Sequence, residues 1–203
     1  EVFAFKIGYE FFLNHGLFGY KEIKKISPKI FLDLKLHDIP NTVANAILAI
    51  NKLNPLLTTV HITGGDEMLK SSIKYKKNSV KVLGVSILTS LDKKQIAKYY
   101  NEKSISNIVK RLVKNAKKHN LDGVVCSPHE IKFVRKELGN KYLIVTPGIR
   151  LENKKTSDDD QKRILTPNEA IDNGADYLVI GRPITKSNDP LKAIKDINKT
   201  INK

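Results

Sequence analysis

The stretch Phe31-Leu-Asp-Leu-Lys-Leu-His-Asp-Ile-Pro-Asn-Thr42 decides how the rest of the chain is read. In an extended strand successive side chains point to opposite faces, so Leu32, Leu34 and Leu36 are expected on one face and Asp33 and Lys35 on the other. Ile39-Pro40 ends the strand, Asn41 or Thr42 is placed to cap a following helix, and Asp38 falls in the loop between them. Three charges of alternating sign thus gather at one strand end. Such alternation most often marks an edge strand with one wet face. The flanking sequence argues otherwise, because apolar strand-like runs alternate with amphipathic helical ones on both sides, the pattern of a parallel sheet covered by helices. Asp and Lys buried on such a strand need each other or a ligand.

Working outward, strand-like runs begin near residues 2, 30, 58, 80, 123, 142 and 177, each followed by a helical or helix-like segment. The first run, Val2-Phe-Ala-Phe-Lys-Ile-Gly8, carries a second lysine, Lys6, near its end. A helix is expected over 9–26, broken at His15-Gly16 and again near Gly19. Val43, Ala46, Ile47 and Ile50 share one face of a helix over 43–53. Further helices are expected over 66–76 and 105–119, and another from Pro128. The run 80–88 reads as a long strand ending at Thr89-Ser90. Seven strands are one short of a closed (β/α)8 TIM barrel. The chain opens on Glu1 and enters a strand almost at once, so the expectation is an α/β barrel lacking its first strand and helix in this chain, folded as a single domain over 1–203.

Two strand ends in the C-terminal part repeat a theme. Pro147-Gly-Ile-Arg150 follows one strand and Gly181-Arg182-Pro183 follows the next. Glycines expose backbone N–H groups and the arginine fork matches phosphate oxygens, and barrels commonly hold phosphate beyond strands seven and eight. Between them, 151–163 is polar, charged and without periodicity, the place for a surface loop or a closing lid.

Composition narrows the classes. A hydrophobic fraction of 40% with 28% charged residues is that of an ordinary globular protein and excludes disorder overall. No apolar run is long enough to span a bilayer and no signal-peptide pattern stands at the start, so the expected location is cytoplasmic. Cys126 is the single cysteine and lies in the apolar run Gly123-Val-Val-Cys-Ser127, which points to a buried structural thiol. The five histidines show no ligand spacing. His61 reads as a core residue. The formal charge of +15 comes from lysines spread through nearly every helix, without an aromatic-interleaved basic patch. A small phosphate ligand is therefore favoured over nucleic acid or a membrane surface.

These residues resemble the orotidine 5′-phosphate decarboxylase family of bacterial type. The resemblance rests on the 31–42 motif together with Leu88-Thr-Ser90, Asp122-Gly-Val-Val-Cys-Ser127, Val145-Thr-Pro-Gly-Ile-Arg150, Asp160-Gln-Lys-Arg163 and Val179-Ile-Gly-Arg-Pro183, in that order. It implies cofactor-free, metal-free decarboxylation of orotidine 5′-monophosphate to uridine 5′-monophosphate. It also implies a catalytic Lys-Asp-Lys-Asp network of Lys6, Asp33, Lys35 and Asp38. Thr89 matches the pyrimidine contact, while Arg150, Gln161, Gly181 and Arg182 match the phosphate side. Asp38 and Thr42 match residues that reach into a partner's site, which implies a homodimer. The aspartate on the family's first strand, a ribose contact, has no match here. Two other readings compete: the magnesium-dependent sugar-phosphate decarboxylases and synthases that share the DxKxxD spacing, and a truncated remnant that binds phosphate ligands or nucleic acid without turnover.

Overall fold

A computed structural model describes residues 2–151 and 165–201. The chain divides into two compact units, Val2–Val85 with Asn115–Gly123, and Ser86–Lys114 with the described part of Val124–Lys203.

The first unit begins with β1 (Phe5–Ile7), α1 (Tyr9–Ile26), β2 (Ile30–Leu36) and α2 (Pro40–Leu53), and continues with β3 (Leu57–His61), α3 (Asp66–Lys74) and β4 (Lys81–Val85). β1 to β4 pair in chain order, all parallel. Parallel pairing needs a crossover, and each helix supplies one while covering a sheet face. Ile7, Ile30 and Leu32 from the strands meet Tyr20 of α1, Ile50 of α2 and Val80 in a single apolar cluster. At about 25 cal/mol per Å² of apolar surface removed from water, a cluster of this kind is what holds β1 and β2 under α1.

Helix α1 is interrupted once. Gly16 takes φ 54°, ψ −147°, outside the helical region, as expected from His15-Gly16. No second break occurs at Gly19, which stays helical and buried; a Cβ there would collide with the Cβ of His15 and crowd the Phe11 ring. Its glycine serves close packing rather than chain reversal. Capping at α2 also differs from expectation. Ile39 occupies the N-cap without a side-chain hydrogen bond, and Pro40 opens the helix, its fixed φ and missing N–H suiting the first turn. Asn41 and Thr42 thus lie inside α2. Helix α3 ends at Lys74, two residues earlier than expected.

In the second unit the described elements are α4 (Lys93–Tyr100), α6 (Ile131–Leu138), β6 (Leu143–Thr146), α7 (Pro167–Asp172), β7 (Tyr177–Leu178), α8 (Arg182–Thr185) and α9 (Pro190–Ile201). The chain passes between the units within α5 (Ile105–Lys118) and β5 (Gly123–Val125). β6 and β7 are parallel. Cys126 is buried, as its sequence context indicates, and its N–H donates to the Val145 carbonyl (3.2 Å). Arg135 of α6 latches this unit, its guanidinium donating to the carbonyls of Gly139, Tyr142 and Gly174 and to Asp176 Oδ2 (2.6 Å). The run 80–88 is shorter as a strand than its β-branched residues suggest, and α4, opened by an Asp92/Gln95 capping box, was not apparent from periodicity.

Candidate active site

The chemistry-bearing end of β2 is not a regular strand. Leu32 pairs with Thr58 and Leu36 with Val60, so Asp33, Leu34 and Lys35 stand opposite the single residue Thr59. Lys35 takes φ 43°, the left-handed region that costs a non-glycine residue about 1–2 kcal/mol. This corrects the simple alternation expected from the sequence. Asp33 is 6% exposed, whereas Leu34, Lys35 and Leu36 are each half-buried.

The bulge brings the charges together. Lys35 Nζ lies 2.8 Å from Asp33 Oδ2, and Lys6 Nζ, from β1, lies 3.4 Å from the same oxygen. Asp33 Oδ1 accepts from the Thr59 hydroxyl (2.9 Å). Burial alone would raise the Asp33 carboxyl. The charges of Lys35 and Lys6, with hydrogen bonds from Lys35 and Thr59, outweigh it and hold the group below the usual carboxylate value. Asp33 is therefore an anion at neutral pH, flanked by two cations.

A cleft of about 390 Å³ opens beside this cluster, lined by Lys35, Asp38, Thr42, Tyr9, His37 and His61 among others. Asp38 is exposed and makes no ion pair with a described residue; its Oδ1 accepts from the N–H of Ile39 (2.7 Å). Thr42 is exposed on the first turn of α2. Of the four expected catalytic charges, three converge within this unit and Asp38 stands apart at the cleft. His61 tilts against His37 with ring centroids 5.1 Å apart. Burial, then the His37 and Lys35 charges, pushes its imidazole down to about 4, so it is neutral at neutral pH.

The expected phosphate-side residues belong to the second unit. Gly148 has φ 79° in the Pro147-Gly-Ile-Arg150 turn, and Arg150 donates from its backbone N–H to the Leu165 carbonyl (3.0 Å). Gly181 precedes α8, where its carbonyl accepts from Ile184 and Thr185, and Arg182 is the first residue of that helix. Thr89 is half-buried beyond β4. Gln161 and nearly all of the expected lid at 151–163 lie outside the described residues. Among the described residues no group of three or more His, Cys, Asp or Glu is arranged to hold a metal ion, and no helix is long and apolar enough to cross a membrane.

Sequence reasoning missed Thr59 and Tyr9. Threonine in a strand is unremarkable, and nothing in Thr58-Thr-Val-His61 reveals which hydroxyl faces Asp33 once the register has slipped.

The model of the orotidine 5′-phosphate decarboxylase / HUMPS family matches residues 1–197. The chain belongs to this family. It is 44% identical over 200 residues to the orotidine 5′-phosphate decarboxylase of Wigglesworthia glossinidia brevipalpis, covering 97% of this chain and 85% of that one. It is 45% identical over 203 residues to that of Ehrlichia canis, covering 100% and 88%. The crystal structure of the orotidine 5′-phosphate decarboxylase from Lactobacillus acidophilus superposes with a TM-score of 0.83 at 38% identity, over 98% of this chain and 86% of that one. The fold class is accordingly the α/β barrel expected from the strand count.

Proposed function

We propose that this chain decarboxylates orotidine 5′-monophosphate to uridine 5′-monophosphate and CO2, the last step of uridine monophosphate synthesis, without a cofactor. One observation carries the reading: a buried carboxylate, Asp33, shared by two lysine ammonium groups, of which Lys35 lines an open cleft. Family membership, with relatives of that name over nearly the whole chain, gives the reaction class, a carboxy-lyase.

The chemistry asks for this arrangement. Breaking the bond between C6 and the carboxyl group releases CO2 and leaves the electron pair in an orbital that the ring cannot delocalise. Stabilisation must be electrostatic and in place beforehand. Lys35 supplies a cation for the developing carbanion and then donates its proton to C6, regaining one from water. Asp33 beside the substrate carboxylate disfavours the bound ground state and, in the free enzyme, keeps Lys35 aimed. Lys6, on the same Asp33 oxygen, keeps the cluster's net charge positive. Thr89 is assigned to the pyrimidine and Arg150, Gln161, Gly181 and Arg182 to the phosphate, whose remote binding energy favours the closed, water-poor site.

Asp38 and Thr42 are assigned to a partner's site in a homodimer. Their exposure at the cleft supports this, as does the apolar side of α1, where Leu13 and Phe18 are 80% and 76% exposed. Because substrate and product are charged nucleotides that do not cross bilayers, we place the reaction in the cytoplasm.

The test is ultraviolet-monitored conversion of orotidine 5′-monophosphate by the purified chain in EDTA. Turnover is expected. Activity that appears only with added magnesium, and on sugar phosphates, would move the chain to the other branch of its family.

A further inference from the structure

The bulge in β2 poses a physical problem that two hydroxyl groups resolve. Three residues opposite one leave backbone groups of β2 without ladder partners, and Lys35 is held in a conformation that L-residues avoid. The Lys35 N–H donates to Thr59 Oγ1 (2.9 Å). That same hydroxyl donates to Asp33 Oδ1 (2.9 Å), so its single proton and a lone pair are both committed. On the other side the Tyr9 hydroxyl donates to the Leu34 carbonyl (2.5 Å). Thr59 is fully buried and its backbone is fixed in the ladder, paired with Leu83 of β4. It is a rigid post.

We propose that Thr59 is a positioning residue for the decarboxylation site: its hydroxyl fastens the Lys35 backbone to the Asp33 carboxylate, setting the separation of the two charges. The inference rests on the site reading given above. It adds a residue from β3 that touches neither reacting atom, and explains why an otherwise costly left-handed lysine persists. A β-branched side chain suits the task, because its hydroxyl is restricted in rotation and its methyl packs in the sheet. Displacement of a reacting group by about 1 Å costs on the order of 100-fold in rate.

Thr59→Val keeps the shape and removes the hydroxyl; Thr59→Ser keeps the hydroxyl. The expected result for Thr59→Val is a kcat lower by on the order of 10- to 100-fold with KM within a few-fold, since binding through the phosphate is untouched. The acid limb of its kcat/KM profile should also move to higher pH, because Asp33 loses a hydrogen bond that favours its charged form. Thr59→Ser should recover most of kcat and the original limb. A Thr59→Val kcat within twofold of the parent, or a Thr59→Ser enzyme as slow as Thr59→Val, would overturn the proposal. If Thr59→Val is unfolded at assay temperature by circular dichroism, Thr59→Ala, which also lacks a hydrogen-bonding group, replaces it with the same expectation. Lys35→Ala is run beside them. If it is inactive while Thr59→Val is normal, only the positioning role fails; if it turns over normally, the site reading fails and takes this inference with it.

Discussion

Two carboxylates in the same unit each hold two lysines, and their surroundings differ. Asp33 lies 2.8 Å from Lys35 and 3.4 Å from Lys6; Asp122 lies 3.2 Å from Lys81 and 3.3 Å from Lys76. Their side chains are 9% and 14% exposed, so burial does not separate them. What separates them is the second tie. Asp122 Oδ2 accepts from the Val82 N–H (2.8 Å) and its own N–H donates to the Val82 carbonyl (3.0 Å), which closes the pair onto the backbone where β4 begins. Asp33 is tied through a hydroxyl to the strained backbone of its own lysine, at the far end of β2, beside a cleft. In α/β barrels chemistry collects at the C-terminal strand ends and the opposite end stabilises. On the proposed function, identical charge sets become a staple or a site according to which strand end carries them.

The largest expected effect tests the site half of that contrast. Lys35→Ala should lower kcat by roughly a thousandfold or more, since it removes both the cation and the proton donor. A loss of less than tenfold in steady-state assays would break the contrast. Next is the staple. Asp122→Ala leaves the Val82 N–H and the part-buried Lys76 without their partner, and urea denaturation should show a loss of about 1–3 kcal/mol, with kcat of the folded enzyme unchanged. A kcat defect without destabilisation would contradict the division of labour.

The smallest effect concerns the field around the site. His61 is pushed from its ordinary 6.5 to about 4 by burial and then by the His37 and Lys35 charges. Between those values the unfolded chain binds the proton and the folded chain does not. The stability this group allows is therefore complete above about pH 6.5 and is lost as pH falls toward 4. His61→Gln should remove that slope. Between pH 7 and 5 it should retain about 1 kcal/mol that the parent loses, a figure reduced for the side chain's partial exposure. Equal slopes in the two proteins would show that burial and the neighbouring charges together do not lower the His61 imidazole.

The convergence of Asp33, Lys35 and Lys6 at the candidate site was in part readable without coordinates. The Asp33, Lys35 and Asp38 spacing followed by Ile39-Pro40 marks a strand end with charges to spare, and the apolar runs with helical segments between them specify parallel pairing, because only crossover helices join strands of that kind. The two glycine–arginine turns were legible for the same reason, local chemistry at a strand end. Capping at α2 departs from the sequence expectation because Pro40 pre-empts Asn41 and Thr42, and Gly19 is no break because a glycine that makes room for His15 and Phe11 of its own helix looks in sequence like one that reverses the chain.

The sequence by itself therefore determined the order of the strands, the parallel sheet and which residue types gather at the end of β2. Only the tertiary structure decided the register. Three residues of β2 facing Thr59, the left-handed Lys35 and the hydroxyl that joins it to Asp33 depend on β3 and α1 arriving from elsewhere in the chain. Local propensity favours regular alternation there, and long-range hydrogen bonds to Thr59 and Tyr9 offset the cost of leaving it.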